Sequence, residues 1–512
     1  MLVKVISAAN SGLETMKIDV EVNFASKGLP GFDIVGLPSK AVNESRERVR
    51  AAITSSKMEF PARKITVNLA PADVPKEGSF YDLPIAAGIL ASTTGCQIPE
   101  KSLFFGELSL DGSLRHTRGA FLLALFAKEF GFENVFVPQD SANEAAVIQG
   151  IKVYPVKNLC QLFNHLTDRE SILPIKYKKP DQELFFSSAE FDMAEILGQE
   201  QAKRAMEIAA AGGHNILMVG SPGSGKTMLA RALPGILPYL TDQESLEVTK
   251  IYSSAGSIPP GASLVVSRQF RAPHHTASQV GLIGGGARPQ PGEISLAHRG
   301  VLFLDEFNEF PRSALEAMRQ PLEDGCLTIA RSKERVRYPA RFMLVASANP
   351  CPCGYLNHPK KPCVCSPRLI QNYQKKISGP ILDRIDLHID VQPVDLQELS
   401  ENQKASEFLE KSEKIRERVE NARQIQKQRF TAHSIFTNAE MKNPEIKKYC
   451  ALTKEIEQLL QQASNKFQLS ARAYLKIIKI SRTIADLESA SDIKLNHMAE
   501  ALQYRSNVYE ET

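Results

Sequence analysis

Residues 215–227, NILMVGSPGSGKT, restrict the possible folds of this chain more than any other stretch. The apolar run Ile216-Leu217-Met218-Val219 has the character of a strand buried on both faces of a parallel sheet. It turns through Gly220-Ser221-Pro222-Gly223-Ser224-Gly225 into Lys226-Thr227 and the helical run Met228-Leu229-Ala230. This is the G-x-x-x-x-G-K-[ST] pattern in a strand–loop–helix context. Its glycines let successive backbone N–H groups converge on phosphate oxygens, where a Cβ would intrude. The helix that follows adds the positive end of its dipole. Lys226 can reach β- and γ-phosphates, and Thr227 can place its hydroxyl on Mg²⁺. The expectation is an α/β fold that binds ATP with Mg²⁺.

At 512 residues the chain has room for about three domains. Its 43% hydrophobic and 23% charged content is that of an ordinary globular protein, and a net charge of +4 is too small to indicate a nucleic-acid partner by itself. No apolar run reaches the roughly 18 residues of a membrane span, and the N-terminus lacks a signal-peptide core. The longest such run, 83–91, is broken by Pro84. Four of the eight cysteines crowd into 351–365 instead of forming a spread framework, which fits a reducing, cytoplasmic compartment.

Downstream of the P-loop, Val301-Leu302-Phe303-Leu304 is an apolar run ending in Asp305-Glu306. Carboxylates at the C-terminal end of such a strand lie where α/β sheets bind ligands. Asp305 can hold Mg²⁺ and Glu306 can polarise the attacking water, while Glu309 reads as a solvated helix start. Residues 342–350, FMLVASANP, form another buried strand with Asn349 at its end, a neutral amide able to orient the water or touch the γ-phosphate.

Before the ATPase stretch, 18–23 and 65–69 alternate like strands. Residues 39–57, 83–91 and 120–130 read as helices, and 135–137 as a strand. The stretch from 168 to 189 has prolines, clustered lysines and no period, as a linker does. After 395 the composition turns to Glu, Lys, Gln and Ala at helical spacing. Residues 469–487 carry Ile477, Ile480, Ile484 and Leu487 on one stripe, read as core packing, and a last helix is expected over 495–504. Cys351-x-Cys353 and Cys363-x-Cys365, nine residues apart, suit a tetrahedral structural Zn²⁺ site, although C-x-C is tighter than the usual spacing; reduced free thiols are the alternative.

These motifs, with RAPHHTASQVGLIGGG at 271–286 and the cysteine stretch, resemble the ComM (YifB) family of magnesium-chelatase-like AAA+ ATPases along nearly the whole chain. The resemblance implies an α/β AAA+ module, a parallel sheet with helices on both faces, at 191–395. It further implies an N-terminal α+β Lon-protease-like domain at 1–168, a linker at 169–190 and a C-terminal helical lid domain at 396–512. In the Lon-like comparison, which rests on the order of elements with Pro75-Lys76-Glu77-Gly78 and Gly106-Glu107-Leu108, Asp82 occupies the nucleophile's position and Phe121 the base's, so a non-proteolytic relative is expected, with a coincidental likeness in an α+β domain as the alternative.

By the same likeness, Ile196, Leu197 and Gly198 would line the adenine pocket, with a simple helix-capping role as the alternative. Asn349 would be sensor 1 and Arg472 sensor 2. Arg384, in 377–390 (ISGPILDRIDLHID), would be a finger reaching a neighbouring subunit's nucleotide, or would otherwise pair with Asp383 or Asp386.

The family implies a hexameric ring that translocates on single-stranded and branched DNA during natural transformation, with recombination proteins as further partners. In such a ring a hairpin at 327–341 could carry Arg331, Lys333, Arg335 and Arg337 to DNA phosphates, and the glycines of 281–286 could form a second pore loop; ordinary surface elements are the alternative. A chelatase motor and an ATP-dependent protease are the competing functions. Asp82 and Phe121 speak against the second.

Overall fold

The structure is a computed structural model that describes residues 2–25, 29–73, 76, 78–177, 189–258, 264–286, 289–330, 335–393, 409–431 and 435–505. It divides into two compact units.

The first unit comprises residues 1–184 together with 242–266 and 330–338. Its main sheet has the order Leu2–Ser11, Glu14–Phe24, Lys64–Ala70, Gly31–Val35. Alternation dictates its inner face: Ile18, Val20, Val22, Ile65, Val67 and Leu69 are all fully buried. Helix Asp82–Thr94 lies on that face, apolar along nearly all its length because it is covered on every side. A second, parallel sheet has the order Ser102–Phe104, Asn134–Pro138, Lys152–Val156, beside helix Ala120–Glu129.

The two later segments are built into this unit. Helix Asp242–Ala255 packs on Ala120–Glu129, and Ser254 Oγ donates to the Gly12 carbonyl at 2.8 Å. The helix expected over 39–57 is two helices, Lys40–Asn43 and Ser45–Ser55, meeting at Glu44. The opening strand Leu2–Ser11 escaped prediction because its alternation is blurred by Ser7, Ala8, Ala9 and Asn10.

The second unit holds a five-stranded parallel sheet of order Phe270–Arg271, Val301–Leu304, Met343–Ala348, Ile216–Val219, Leu387–Asp390. Three of these strands, Ile216–Val219, Val301–Leu304 and Met343–Ala348, are buried at every position, which is why they read as continuous apolar runs. This is the parallel α/β sheet of a P-loop AAA+ module. Its core is continuous with that of the C-terminal helices Ser412–Arg429, Ala471–Leu487 and Leu495–Gln503. Ile477, Ile480 and Ile484 are fully buried there, and Leu487 packs against them. Among the described residues no helix is long and apolar enough to cross a membrane.

Candidate active site

Three parallel strands deliver their C-terminal ends to one place. Ile216–Val219 runs into the P-loop, whose Gly223 (φ +80°) and Gly225 (φ +91°) occupy the left-handed region that favours glycine. Helix Lys226–Ala232 follows directly. Lys226 is buried and turned back on the loop, its Nζ donating to the Gly220 and Ser221 carbonyls at 2.8 Å each and to Asn349 Oδ1 at 3.5 Å. Burial pushes its ammonium pKa down to about 8, against the attraction of Asp305 and Asp390. The hydroxyls of Ser221 and Ser224 are buried with no hydrogen-bond partner among the described residues. Orphaned donors of this kind inside a glycine-rich loop suit an anionic ligand.

Val301–Leu304 ends at Asp305. Its Oδ2 accepts from Thr227 Oγ1 at 3.1 Å, and its Oδ1 accepts from Ser347 Oγ and from the Glu306 N–H at 3.1 Å. The hydroxyl and carboxylate expected to share Mg²⁺ are therefore already adjacent. Glu306 has φ +52° and is exposed, and its Oε2 lies 3.1 Å from His275 Nδ1. The His274 ring lies tilted against that of His275, with centroids 4.1 Å apart. Glu309, expected to be a solvated helix start, lies in a 3₁₀ turn, Phe307–Glu309, and pairs with Lys376 at 3.0 Å.

Arg384 and Arg472 belong to a different constellation. Both pair with Glu323 on helix Arg319–Asp324: Arg472 Nη2 lies 3.0 Å from Oε1, and Arg384 Nη2 bonds Oε2 while its Nη1 donates to the Pro380 carbonyl at 2.7 Å. Arg384 thus pairs with neither Asp383 nor Asp386, the partners proposed as its alternative. The two segments that carry the arginines are fastened beneath them. Asp386 accepts from the Asn215 N–H at 2.9 Å and pairs with Lys476 at 2.8 Å on the helix that carries Arg472. Burial opposes ionisation of Asp386, yet Lys476 and His214 hold its carboxyl far below the usual carboxylate range. Asn215 Nδ2 also donates to the Arg384 carbonyl at 3.1 Å.

The four cysteines come together, with every Sγ within 4.8 Å of the others. Cys351 is buried, and the other three are half-buried. Sulfur separations of 3.4, 3.7 and 3.6 Å among Cys351, Cys353 and Cys363 are close to the edge of about 3.8 Å expected for a ZnS₄ tetrahedron with Zn–S of about 2.3 Å. The residues present fit a thiolate-bound zinc.

The comparisons with known proteins agree along the chain. Residues 192–399 match the family described as magnesium chelatase, subunit ChlI, residues 20–141 that described as subunit ChlI of Mg-chelatase, and residues 409–505 the ChlI C-terminal family. The competence protein ComM of Haemophilus influenzae is 42% identical over 509 residues, spanning 98% of this chain and 97% of that protein. The chain belongs to the ComM/YifB family. YifB of Escherichia coli is 42% identical over 505 residues, spanning 97% of this chain and 95% of that protein. The magnesium-chelatase 38 kDa subunit of Rhodobacter capsulatus is similar over a shorter region, 28% identical over 178 residues, or 31% of this chain and 50% of that protein.

Within this ComM/YifB chain the remaining expected site residues fall as follows. Ile196 is buried, and Leu197 and Gly198 are half-buried. Their neighbour Gln199 donates to the Ser224 carbonyl at 3.3 Å, which ties this segment to the P-loop. Arg335 and Arg337 are exposed on strand Arg335–Pro339, whereas Arg331 and Lys333 lie outside the described residues. The glycine stretch 281–286 is not an open loop, because Gln279–Ile283 is helical and Gly284–Gly285 pairs with Gln290–Pro291.

In the first unit Asp82 is fully buried, with Oδ2 2.7 Å from Arg48 Nε and accepting from the Leu108 N–H at 3.2 Å. Phe121 is core. Gln199, Asn215, His275, Glu323, Ser347 and Lys476 were not singled out from sequence. The paired histidines within 271–286 were the one signal available.

Proposed function

We propose that the chain is a Mg²⁺-dependent ATPase that works as a homo-oligomeric, hexameric ring and moves on single-stranded and branched DNA in recombination during natural transformation. The observation that carries the ATPase reading is the convergence of Lys226, Thr227, Asp305 and Asn349 at the ends of three adjacent parallel strands. The DNA reading is supported by end-to-end similarity to a protein named for competence. Operation in the cytoplasm, alongside other recombination proteins, is part of this reading.

Bound Mg-ATP supplies the phosphoanhydride bond, and the chain supplies positioning and charge. Lys226 would leave the Gly220 and Ser221 carbonyls for phosphate oxygens, joined by the P-loop N–H groups and the Ser221 and Ser224 hydroxyls. Thr227 and Asp305 would hold the metal, with Ser347 fixing the Asp305 rotamer. Glu306, released from His275, would take up the proton of the attacking water, and Asn349 would orient that water. Ile196, Leu197 and Gly198 would receive the base. Arg384 and Arg472, held together by Glu323, would reach the phosphates of a neighbouring protomer. Arg335 and Arg337, with Arg331 and Lys333, would meet DNA phosphates in the ring's pore. Cys351, Cys353, Cys363 and Cys365 would hold one structural zinc.

A second reading, the motor of a metal-insertion complex, is favoured by the magnesium-chelatase family matches. ATPase rates with and without single-stranded, duplex and forked DNA separate the two. DNA stimulation is expected, and indifference to every form would remove the translocase reading.

A further inference from the structure

We infer that the four-cysteine loop is a metal-held brace for the P-loop, so that metal binding and nucleotide binding strengthen each other. The inference rests on the zinc reading above and adds its consequence for nucleotide affinity.

The loop touches the nucleotide site at two points. It begins at Cys351, two residues after Asn349, whose Oδ1 receives Lys226 Nζ. The intervening Pro350 carbonyl accepts from Gln374 Nε2 at 3.3 Å, which anchors that end. The second contact is Gly354, buried between Cys353 and Tyr355 with φ +80°. A Cβ there would fall 2.5 Å from Pro222 Cδ and 2.7 Å from Cγ, so bare backbone lies against the tip of the P-loop. The Gly354 N–H donates to the Cys351 carbonyl at 2.9 Å, so the same backbone turns tightly between two of the cysteines. Gly354 therefore faces a metal site on one side and the phosphate loop on the other.

Residues 351–365 contain no helix or strand that would hold this shape. Four metal–sulfur bonds would close the loop and fix Gly354 and Asn349 together, while loss of the metal would return conformational freedom to both contacts. Nucleotide acts from the other side, ordering the P-loop and the Pro222 face against which the cysteine loop packs. Linkage requires the effect to be reciprocal: if metal raises nucleotide affinity by some factor, nucleotide raises metal affinity by the same factor.

The test uses the full-length protein purified without chelators. Metal analysis should find about one zinc per chain. Zinc release to a chelating dye is then followed with and without ADP, in excess Mg²⁺ so that free nucleotide does not itself take up zinc. Nucleotide should lower the released fraction, corresponding to about tenfold tighter zinc, and calorimetry on stripped protein should show ADP affinity weakened by about the same factor. If stripping unfolds the protein, as circular dichroism would report, the release measurement on the zinc-loaded protein decides alone. Pro222→Ala should keep the zinc and lose most of the nucleotide effect on its release. Protein without zinc overturns the metal site and the brace with it. Zinc present, but released equally with and without nucleotide, overturns the brace and leaves the metal site standing.

Discussion

The P-loop edge and the Glu323 cluster hold the two halves of the proposed hydrolytic machinery, and they are assembled in opposite ways. At the P-loop edge, Lys226, Thr227, Asp305, Ser347 and Asn349 already contact one another within one chain. Arg384 and Arg472 instead share the carboxylate of Glu323, and the buried Asp386–Lys476 pair ties together the segments that bear them. One half is ready for a ligand delivered to it; the other is a fixed cationic pair ready to be carried to a ligand elsewhere. The difference argues for a composite site, with each protomer lending its arginines to a neighbour.

The largest effects should come from cutting either half. Glu306→Gln should retain ATP yet slow hydrolysis by about 10³-fold, since the positioned base is lost. Arg384→Ala should do the same by about 10³-fold or more. Single-turnover assays check both, and normal turnover in either variant would remove that residue from the reaction.

Next is the fastening under the arginines. Lys476→Ala would leave Asp386 buried without its cationic partner and should cost about 3–5 kcal/mol, measured by urea unfolding. Lys476→Met combined with Asp386→Asn should recover most of that loss. A wild-type midpoint in Lys476→Ala would mean that the pair does not hold the two segments.

A smaller effect concerns the P-loop alone. Lys226 has a pKa of about 8, lowered by burial, and phosphate binding favours its charged form. Binding above pH 8 must therefore take up a proton, so ATP affinity should fall as pH rises, by about tenfold between pH 7 and pH 9. Calorimetry in buffers of different ionisation enthalpy reads the proton directly. An affinity flat across that range would show that Lys226 is not the group gripping phosphate.

Legibility followed the same division. The P-loop, Asp305 and Asn349 were readable because each is a local pattern, an apolar run with a polar residue at its end. Glu323 was not, because its role depends on Arg472, 149 residues away, and nothing near Glu323 in sequence announces it. Asn215 opens the P-loop strand, but its grip on the Arg384 carbonyl depends on parallel pairing between Ile216–Val219 and Leu387–Asp390. Helix Asp242–Ala255 sits between motifs of the ATPase stretch, yet it packs in the first unit through Ser254 and its face on Ala120–Glu129. Composition changes mark boundaries only where the chain leaves a unit for good, and here it leaves and returns.

The composite-site account is tested most directly by mixing two inactive proteins. Arg384→Ala subunits keep an intact P-loop, and Lys226→Ala subunits keep an intact arginine pair. In mixed assemblies some interfaces join an intact P-loop to an intact Arg384, so part of the ATPase activity should return, peaking at intermediate mixing ratios. Mixed assemblies, verified by differential tagging, that stay as inactive as each parent at every ratio would contradict the account.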